Sequence, residues 1–413
     1  MVTNIKNQPQ NNKQIKLTSD ISFALKQADE KLTYLNLSKH NIGSSGGIKL
    51  LSKALEKNKT LTHINLRNSN IDDEGVNIVA KFLQNNNTVT RVDLSNNKIG
   101  DIGMHRFAEA LENNNAVSHI DMCHNKITSR GAIRFAKVLK INKNLCQIQL
   151  AANHIAQNGG FRLAESLENN NNITAINLSE NHIGNWGARE LARVLKRNNS
   201  VKYLDLRDID IGDCGIESLS SMLRYNDTIT HINLAGNYIW PKGAEILSKD
   251  LEYNETVTNI NLGESNIGYK GVKYLVKALE YNNTVDEIDL EHNDIGEQGA
   301  IILAEFLANN RTLKRLHING NNIGNEGALQ LFKALEINRT LTEITLGHNI
   351  FSRKVAEKLV KILSNKNIVS KIMVSFGDNE NYDVNLNNID PKLELLIENL
   401  ENNYIETDGI TIN

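Results

Sequence analysis

The 413-residue chain contains little that would commit it to chemistry. Its three cysteines, Cys123, Cys146 and Cys214, form neither a metal nor a redox motif. Cys123 and Cys146 are expected on adjacent strands but five positions out of step, so at ~3.3 Å per residue they stand roughly 16 Å apart, too far to bridge. Neither sign of charge dominates, with 46 Lys and Arg against 48 Asp and Glu, which leaves no global field for nucleic acid or a membrane surface. Apolar runs are far short of a membrane span, and the N-terminus lacks the basic-then-apolar pattern of a secretory signal. H-E-x-x-H, P-loop, G-x-S-x-G and Cys/His clusters with metal spacing are all absent. His63, His119 and His231 share a column, but at least two strands apart, roughly 10 Å or more, they are too distant for one metal. The expectation is a chain with no enzymatic activity, no cofactor and no metal, binding neither nucleic acid nor membrane.

What the chain has is a 28-residue frame that restarts at Leu61, Val89, Val117, Leu145, Ile173, Val201, Ile229, Val257, Val285, Leu313, Leu341 and Val369. An earlier repeat opens at Leu32 and is one residue longer. Most repeats follow L-x-x-L-x-L-x-x-N-x-I-G, with other aliphatics allowed at the leucine positions. The L-x-L portion alternates and predicts a short strand, whereas the second half carries apolar residues at helical spacing, as in Ile302, Leu303, Phe306 and Leu307.

Three columns suggest how the chain turns. Gly at position 15, from Gly46 and Gly75 through Gly327, sits where each helix begins; close packing between coils and a positive φ are the expected reasons. Asn at position 26, from Asn86 through Asn338, is expected to end each helix in the left-handed conformation. Asn at position 9, as in Asn97, Asn125 and Asn237, is expected to form a ladder whose amides satisfy backbone groups at the strand-to-loop bend.

With its repeat length, helical second half and N-x-I-G step, the chain resembles the ribonuclease-inhibitor subclass of leucine-rich repeats, also found in NOD-like receptors, the Ran GTPase-activating protein and effectors of intracellular bacteria. The resemblance covers about 340 of the 413 residues. It implies an α/β solenoid, a horseshoe with a parallel β-sheet on the concave face and helices on the convex face. One elongated domain is expected, because each repeat contacts only its neighbours.

Residues 1–17 read as a disordered polar tail and 18–31 as a partial capping helix containing Ile21, Phe23, Ala24 and Leu25. The repeats span 32–375, twelve full ones plus a final strand with Val369, Ile372 and Val374. A linker follows at 376–390, then a capping helix at 391–404 begun by Asp390 and Pro391, and a tail at 405–413. The eight sequons opened by Asn58, Asn86, Asn198, Asn226, Asn254, Asn282, Asn310 and Asn338 lie at the helix ends, where sugars would crowd the coils, so the cytosol is the expected compartment. The segment from Phe376 to Asn413 holds nine acidic residues and one lysine, which resembles the export signals of effectors sent into host cells by bacterial type IV secretion. Richness in Asn, Ile and Lys suggests an AT-rich genome, so the cytosol in question would be a host's.

Function is then expected to be protein binding through the concave face and adjoining loops, by a monomer. Positions 2, 3, 5, 7 and 8 point away from the core. Position 5 is nearly always Asn or Asp and is expected to be structural, while position 3 varies freely and includes Arg91, His119, Tyr203, His231, Glu287 and Arg315. Charge on this face is segregated, basic in the third and fourth repeats and acidic in the tenth. Seven of ten tyrosines lie between 203 and 281; Tyr225, Tyr253 and Tyr281 are expected to stack as a ladder, and Trp186, Tyr238, Trp240 and Tyr269 to lie on loops. The predicted contact set therefore centres on Tyr203, Arg207, His231, Tyr238 and Trp240, in the repeat where Ile209 replaces the ladder asparagine and its successor. Two alternatives are a GTPase-activating protein resembling the Ran activator, which would leave no motif of its own, and an endogenous scaffold or sensor.

Overall fold

The computed structural model describes residues 32–43, 46–55 and 58–352, with Lys354, Val355 and Lys358. The expected N-terminal tail and partial helix, the final strand at Val369, the linker, the capping helix and the C-terminal tail lie outside the described residues. The chain falls into two compact units, residues 1–181 and 182–413.

The first unit contains strands β1 (Tyr34–Asn36), β2 (His63–Asn65), β3 (Arg91–Asp93), β4 (His119–Asp121), β5 (Gln147–Gln149) and β6 (Ala175–Asn177). Helices Gly46–Leu55, Asp73–Gln84, Asp101–Asn113, Ser129–Ile141 and Gln157–Ser166 separate them. The second contains β7 (Tyr203–Asp205), β8 (His231–Asn233), β9 (Asn259–Asn261), β10 (Glu287–Asp289), β11 (Arg315–His317) and β12 (Glu343–Thr345). Its helices are Gly184–Leu195, Asp213–Tyr225, Trp240–Leu251, Gly268–Leu279, Gly296–Asn309 and Gly324–Ile337. Within each unit the strands pair in parallel and in sequence order, with equivalent positions opposed, as in His63↔Arg91 and Tyr203↔His231. The fold is an α/β solenoid, as the resemblance implied.

Most strands keep their central residue inside and two outside; β6 and β12 also bury Ala175 and Thr345. Ile64, Val92 and Ile120 are buried between β2, β3, β4 and the helices, while their flanking residues face out. This alternation on a three-residue strand makes the outward face of the sheet independent of the core.

The position-9 asparagines do form the expected ladder. Asn97 donates through Nδ2 to the carbonyls of Leu66, Leu94 and Ser95, and its Oδ1 accepts from the N–H groups of Ser69 and Ile71. Asn237 repeats the pattern with Leu206, Leu234, Ala235, Ile209 and Ile211. Where Ile209 interrupts the column, the side chain is buried instead, and its carbonyl still accepts from Gly184 N–H at 2.8 Å.

The position-26 column works differently from the expectation. Asn226 has φ −83° and ψ 128°, an extended rather than left-handed conformation, and Asn114, Asn142, Asn310 and Asn338 are likewise extended. The side chain is what the position requires. Asn226 Nδ2 donates to Leu195 O at 2.7 Å, capping the last carbonyl of the preceding helix, and to Asn198 O at 3.2 Å. Its Oδ1 accepts from the N–H groups of Thr228 and Ile229 at 2.9 and 2.7 Å. One amide thus satisfies a helix end of one coil and the approach to the strand of the next.

The glycine column is half corrected. A Cβ on Gly271 would stand 2.3 Å from Ile267 Cγ2 and 3.0 Å from Ala244 Cβ, so close packing does exclude a side chain. None of the described position-15 glycines has a positive φ. The left-handed conformation falls earlier, at position 12, in Gly184, Gly268, Gly296 and Gly324 at 58 to 66°.

Candidate functional site

On the sheet's outward face, position 5 is structural. The Oδ1 atoms of Asn65, Asp93, Asp121, Asp205, Asn233 and Asp289 each accept from the backbone N–H two residues on, closing the bend after the strand. Position 3 is therefore where variation meets solvent.

Three histidines in that row share one supporting device. Thr62 Oγ1 lies 2.7 Å from His63 Nδ1, Ser118 Oγ 2.7 Å from His119 Nδ1 and Thr230 Oγ1 2.8 Å from His231 Nδ1. Each hydroxyl also lies within hydrogen-bond distance of a carbonyl of the preceding strand segment, at Thr33, Thr90 and Lys202. Each ring is thus fixed through Nδ1 by the hydroxyl of the residue before it. Burial lowers the pKa of all three rings; Arg91 lowers those of His63 and His119 further. Arg91 lies between those two histidines in register.

In the second unit Tyr203 and His231 pack with ring centroids 4.4 Å apart and planes at 32°. Arg207, in the turn two residues after the strand of Tyr203, reaches Asp208 at 3.1 Å and Glu264 at 3.3 Å. The remaining aromatics belong to a different edge: Trp186, Trp240 and Tyr269 lie in the first turns of helices Gly184–Leu195, Trp240–Leu251 and Gly268–Leu279, and Tyr238 in the loop before the second of these. All four are exposed. The predicted residues therefore form two groups, a strand-face group and a helix-start group.

Trp240 is held unusually. Its φ is +54°, at the position where Gly184, Gly268, Gly296 and Gly324 adopt the same conformation. A side chain there is strained, and 49% of Trp240 is exposed.

The acidic tenth repeat is not an open charged patch. Arg315 Nε contacts Glu287 at 2.7 Å and its guanidinium reaches Asp286 at 3.3 Å, while Lys314 pairs with Asp286 at 3.0 Å. The hydrogen bond with His317 and the nearby Arg315 hold Glu287 down at about 2 against the effect of burial. For His317, burial disfavours the charged ring, but the bond to Glu287 and the charges of Asp289 and Glu343 outweigh it and its pKa rises. Burial pushes Asp289 up to about 6. The bipolarity expected from sequence is thus partly neutralised by pairing between neighbouring strands.

Tyr225 and Tyr253 do not stack on one another. Lys196 Nζ lies 3.7 Å from the Tyr225 ring centroid, and the Arg224 guanidinium carbon 4.5 Å from that of Tyr253, so each ring is covered by a cation from the preceding repeat. The adjoining residue before Tyr281 in this arrangement would be Glu252, which offers no such cation.

A family model described as leucine-rich repeat matches residues 28–51, 57–77, 85–108, 169–192 and 197–220, and the TMOD/LMOD leucine-rich domain model matches 257–383. The chain is a leucine-rich-repeat protein. No curated protein matches its sequence. Among solved structures, this leucine-rich-repeat protein is similar to the yeast Rad7–Elc1 complex at 13% identity and a TM-score of 0.52, covering 79% of this chain and 78% of that one, a likeness of fold. An internalin, InlF, from Listeria monocytogenes is 18% identical with a TM-score of 0.46, covering 83% and 91%. The leiomodin-1 actin-binding site 2 structure is 22% identical with a TM-score of 0.32, covering 37% and 88%.

One cluster on this leucine-rich-repeat protein escaped the sequence reading. Lys39, Asn41, Asn68, Asn70, Asn96 and Lys98 line a cavity on the loops of the first three repeats. The signal was available, since they occupy two columns of the loop after the strand, but asparagine in a loop reads first as a turn former.

Proposed function

We propose that this protein binds a protein partner, without catalysis, through the exposed surface of its second unit. Tyr203, Arg207 and His231 supply the strand-face group, and Trp186, Tyr238, Trp240 and Tyr269 the helix-start group. The observation that carries the reading is Trp240. A bulky residue at a φ of +54° costs on the order of 1–2 kcal/mol where glycine would not, and yet 49% of this one remains exposed. Strain retained at an exposed tryptophan is what an interface anchor held ready for contact requires.

The 28-residue period with a full helix in most repeats supports the ribonuclease-inhibitor-like subclass. We read the partner as a protein of a host cytosol and the chain as a translocated effector. The composition and the acidic C-terminal segment support that reading, as does the sequon column: Asn226 is 4% exposed with Nδ2 engaged in two hydrogen bonds, leaving no room for a glycan in the fold.

The test is capture of partners from eukaryotic cytosol by three forms of the chain: wild type, Tyr203→Ala/Trp240→Ala, and Lys249→Ala/Lys277→Ala on the outer helices. Proteins held by the first and third but lost by the second are expected. A captured set unchanged by Tyr203→Ala/Trp240→Ala removes the proposed surface.

A further inference from the structure

We propose that the loops of the first three repeats form an oxyanion-binding pocket, distinct from the aromatic surface of the second unit, that takes a phosphate or carboxylate group between Lys39 and Lys98. The cavity has a volume of about 410 Å³ and is lined by Lys39, Asn41, Asn68, Asn70, Asn96, Asn97 and Lys98. No carboxylate lines it, in a chain with 48 acidic residues and a net charge of −2. A pocket with two ammonium groups, several amides and no acid selects negative charge.

The solenoid itself assembles this set. Lys39, Asn68 and Asn96 occupy one column of the loop after the strand, and Asn41, Asn70 and Lys98 another two residues on. Parallel coils repeat at about 4.8 Å, so residues some thirty apart in sequence become neighbours. Lys39, Asn41, Asn68, Asn70 and Asn96 all have positive φ, between 34 and 66°. Tolerance of that conformation accounts for asparagine at some of these sites. It does not account for the lysines or for the state of the amides.

Asn97 shows what a structural asparagine looks like here, for its amide is saturated by five backbone bonds. Asn96, next to it, is the reverse: its Nδ2 is buried and makes no hydrogen bond among the described residues. A buried donor without an acceptor is costly, and native proteins retain such groups where something else supplies the acceptor. An oxyanion drawn in by the charges of Lys39 and Lys98 can supply it once the Asn96 amide turns towards the cavity. The neighbouring amides of Asn41, Asn68 and Asn70 can donate to the same oxygens or accept from hydroxyl or amide groups beside them.

The experiment is a heteronuclear NMR titration of the full 15N-labelled chain at pH 7 and constant ionic strength. Inorganic phosphate, N-acetylglutamate and chloride are the probes, read at the side-chain amides of Asn68, Asn70 and Asn96 and the backbone amides of 39–41 and 96–98. Saturable shifts with phosphate or N-acetylglutamate and none with chloride are expected, and the probe that saturates at lower concentration names the source of the oxyanion. Lys39→Gln/Lys98→Gln should weaken binding at least tenfold, and Asn96→Asp, which sets a carboxylate where the donor stands, should abolish it. Both lysines are exposed, so their variant keeps the wild-type melting curve and decides the matter alone if Asn96→Asp fails to fold. Absence of saturation with both oxyanions, equal shifts with chloride, or unchanged affinity in the lysine variant overturns the proposal.

Discussion

The two compact units carry the same frame and opposite surfaces. Among the described residues, Tyr34 is the one exposed aromatic of the first unit, while the second exposes Trp186, Tyr203, Tyr225, Tyr238, Trp240, Tyr253, Tyr269, Tyr274 and Tyr281. The position-3 row runs Tyr34, His63, Arg91, His119, Gln147 and Ala175 in the first and Tyr203, His231, Asn259, Glu287, Arg315 and Glu343 in the second. Arg91, the one formal charge of the first unit's row, forms no salt bridge among the described residues, whereas Glu287 and Arg315 pair with each other. The difference teaches that the frame and the surface are chemically separate. Asn ladders, a buried aliphatic on each strand and a packed glycine recur in most coils of both units, leaving the remaining outward positions free to diverge.

That separation can be broken most directly at the frame. Asn114→Val in the first unit and Asn226→Val in the second should each destabilise by about 3 kcal/mol, because each strands buried carbonyls and N–H groups that the amide now satisfies. Denaturant midpoints measure the loss, and a large cost at one site with none at the other would mean that the units do not share a frame. The surface comes next. Tyr203→Ala/Trp240→Ala should weaken partner binding by at least ~2 kcal/mol in a calorimetric titration while leaving the melting curve in place, and Lys249→Ala/Lys277→Ala should do neither. If both pairs bind alike, the aromatic surface is not what distinguishes the second unit.

Trp240→Gly separates strain from contact. It should raise stability by about 1 kcal/mol, by relieving the left-handed conformation, and at the same time lower affinity. A variant that loses stability would show that Trp240 serves the fold. The smallest effect concerns Asp289, whose folded pKa of about 6 lies above its ordinary 3.8. Between those values the native state binds more protons than the unfolded one, so this group's contribution is present below 3.8 and lost as pH rises through 6. Asp289→Asn should therefore raise the melting temperature at pH 7.5 by the equivalent of about 1 kcal/mol, and the gain should fade towards pH 4. A gain independent of pH would assign the effect to packing.

The sequence by itself determined the solenoid, the register of its strands and which positions face outward. Those follow from a period of 28 residues and an alternation three residues wide, both local patterns that any coil must satisfy in the same way. It also located the residues that matter at positions 9, 15 and 26, but for two of these columns not the reason. Asparagine is compatible both with a left-handed turn and with a bridging amide, and glycine both with a positive φ and with close contact; composition cannot separate such pairs. Only tertiary structure did, by setting Asn226 against the last carbonyl of the preceding helix and Gly271 against Ala244. The same holds for the surfaces. The pairing of Glu287 with Arg315, the cation over Tyr225 and the unpaired amide of Asn96 each depend on side chains about one repeat apart, or on their absence. Those distances come into being only when coil packs upon coil.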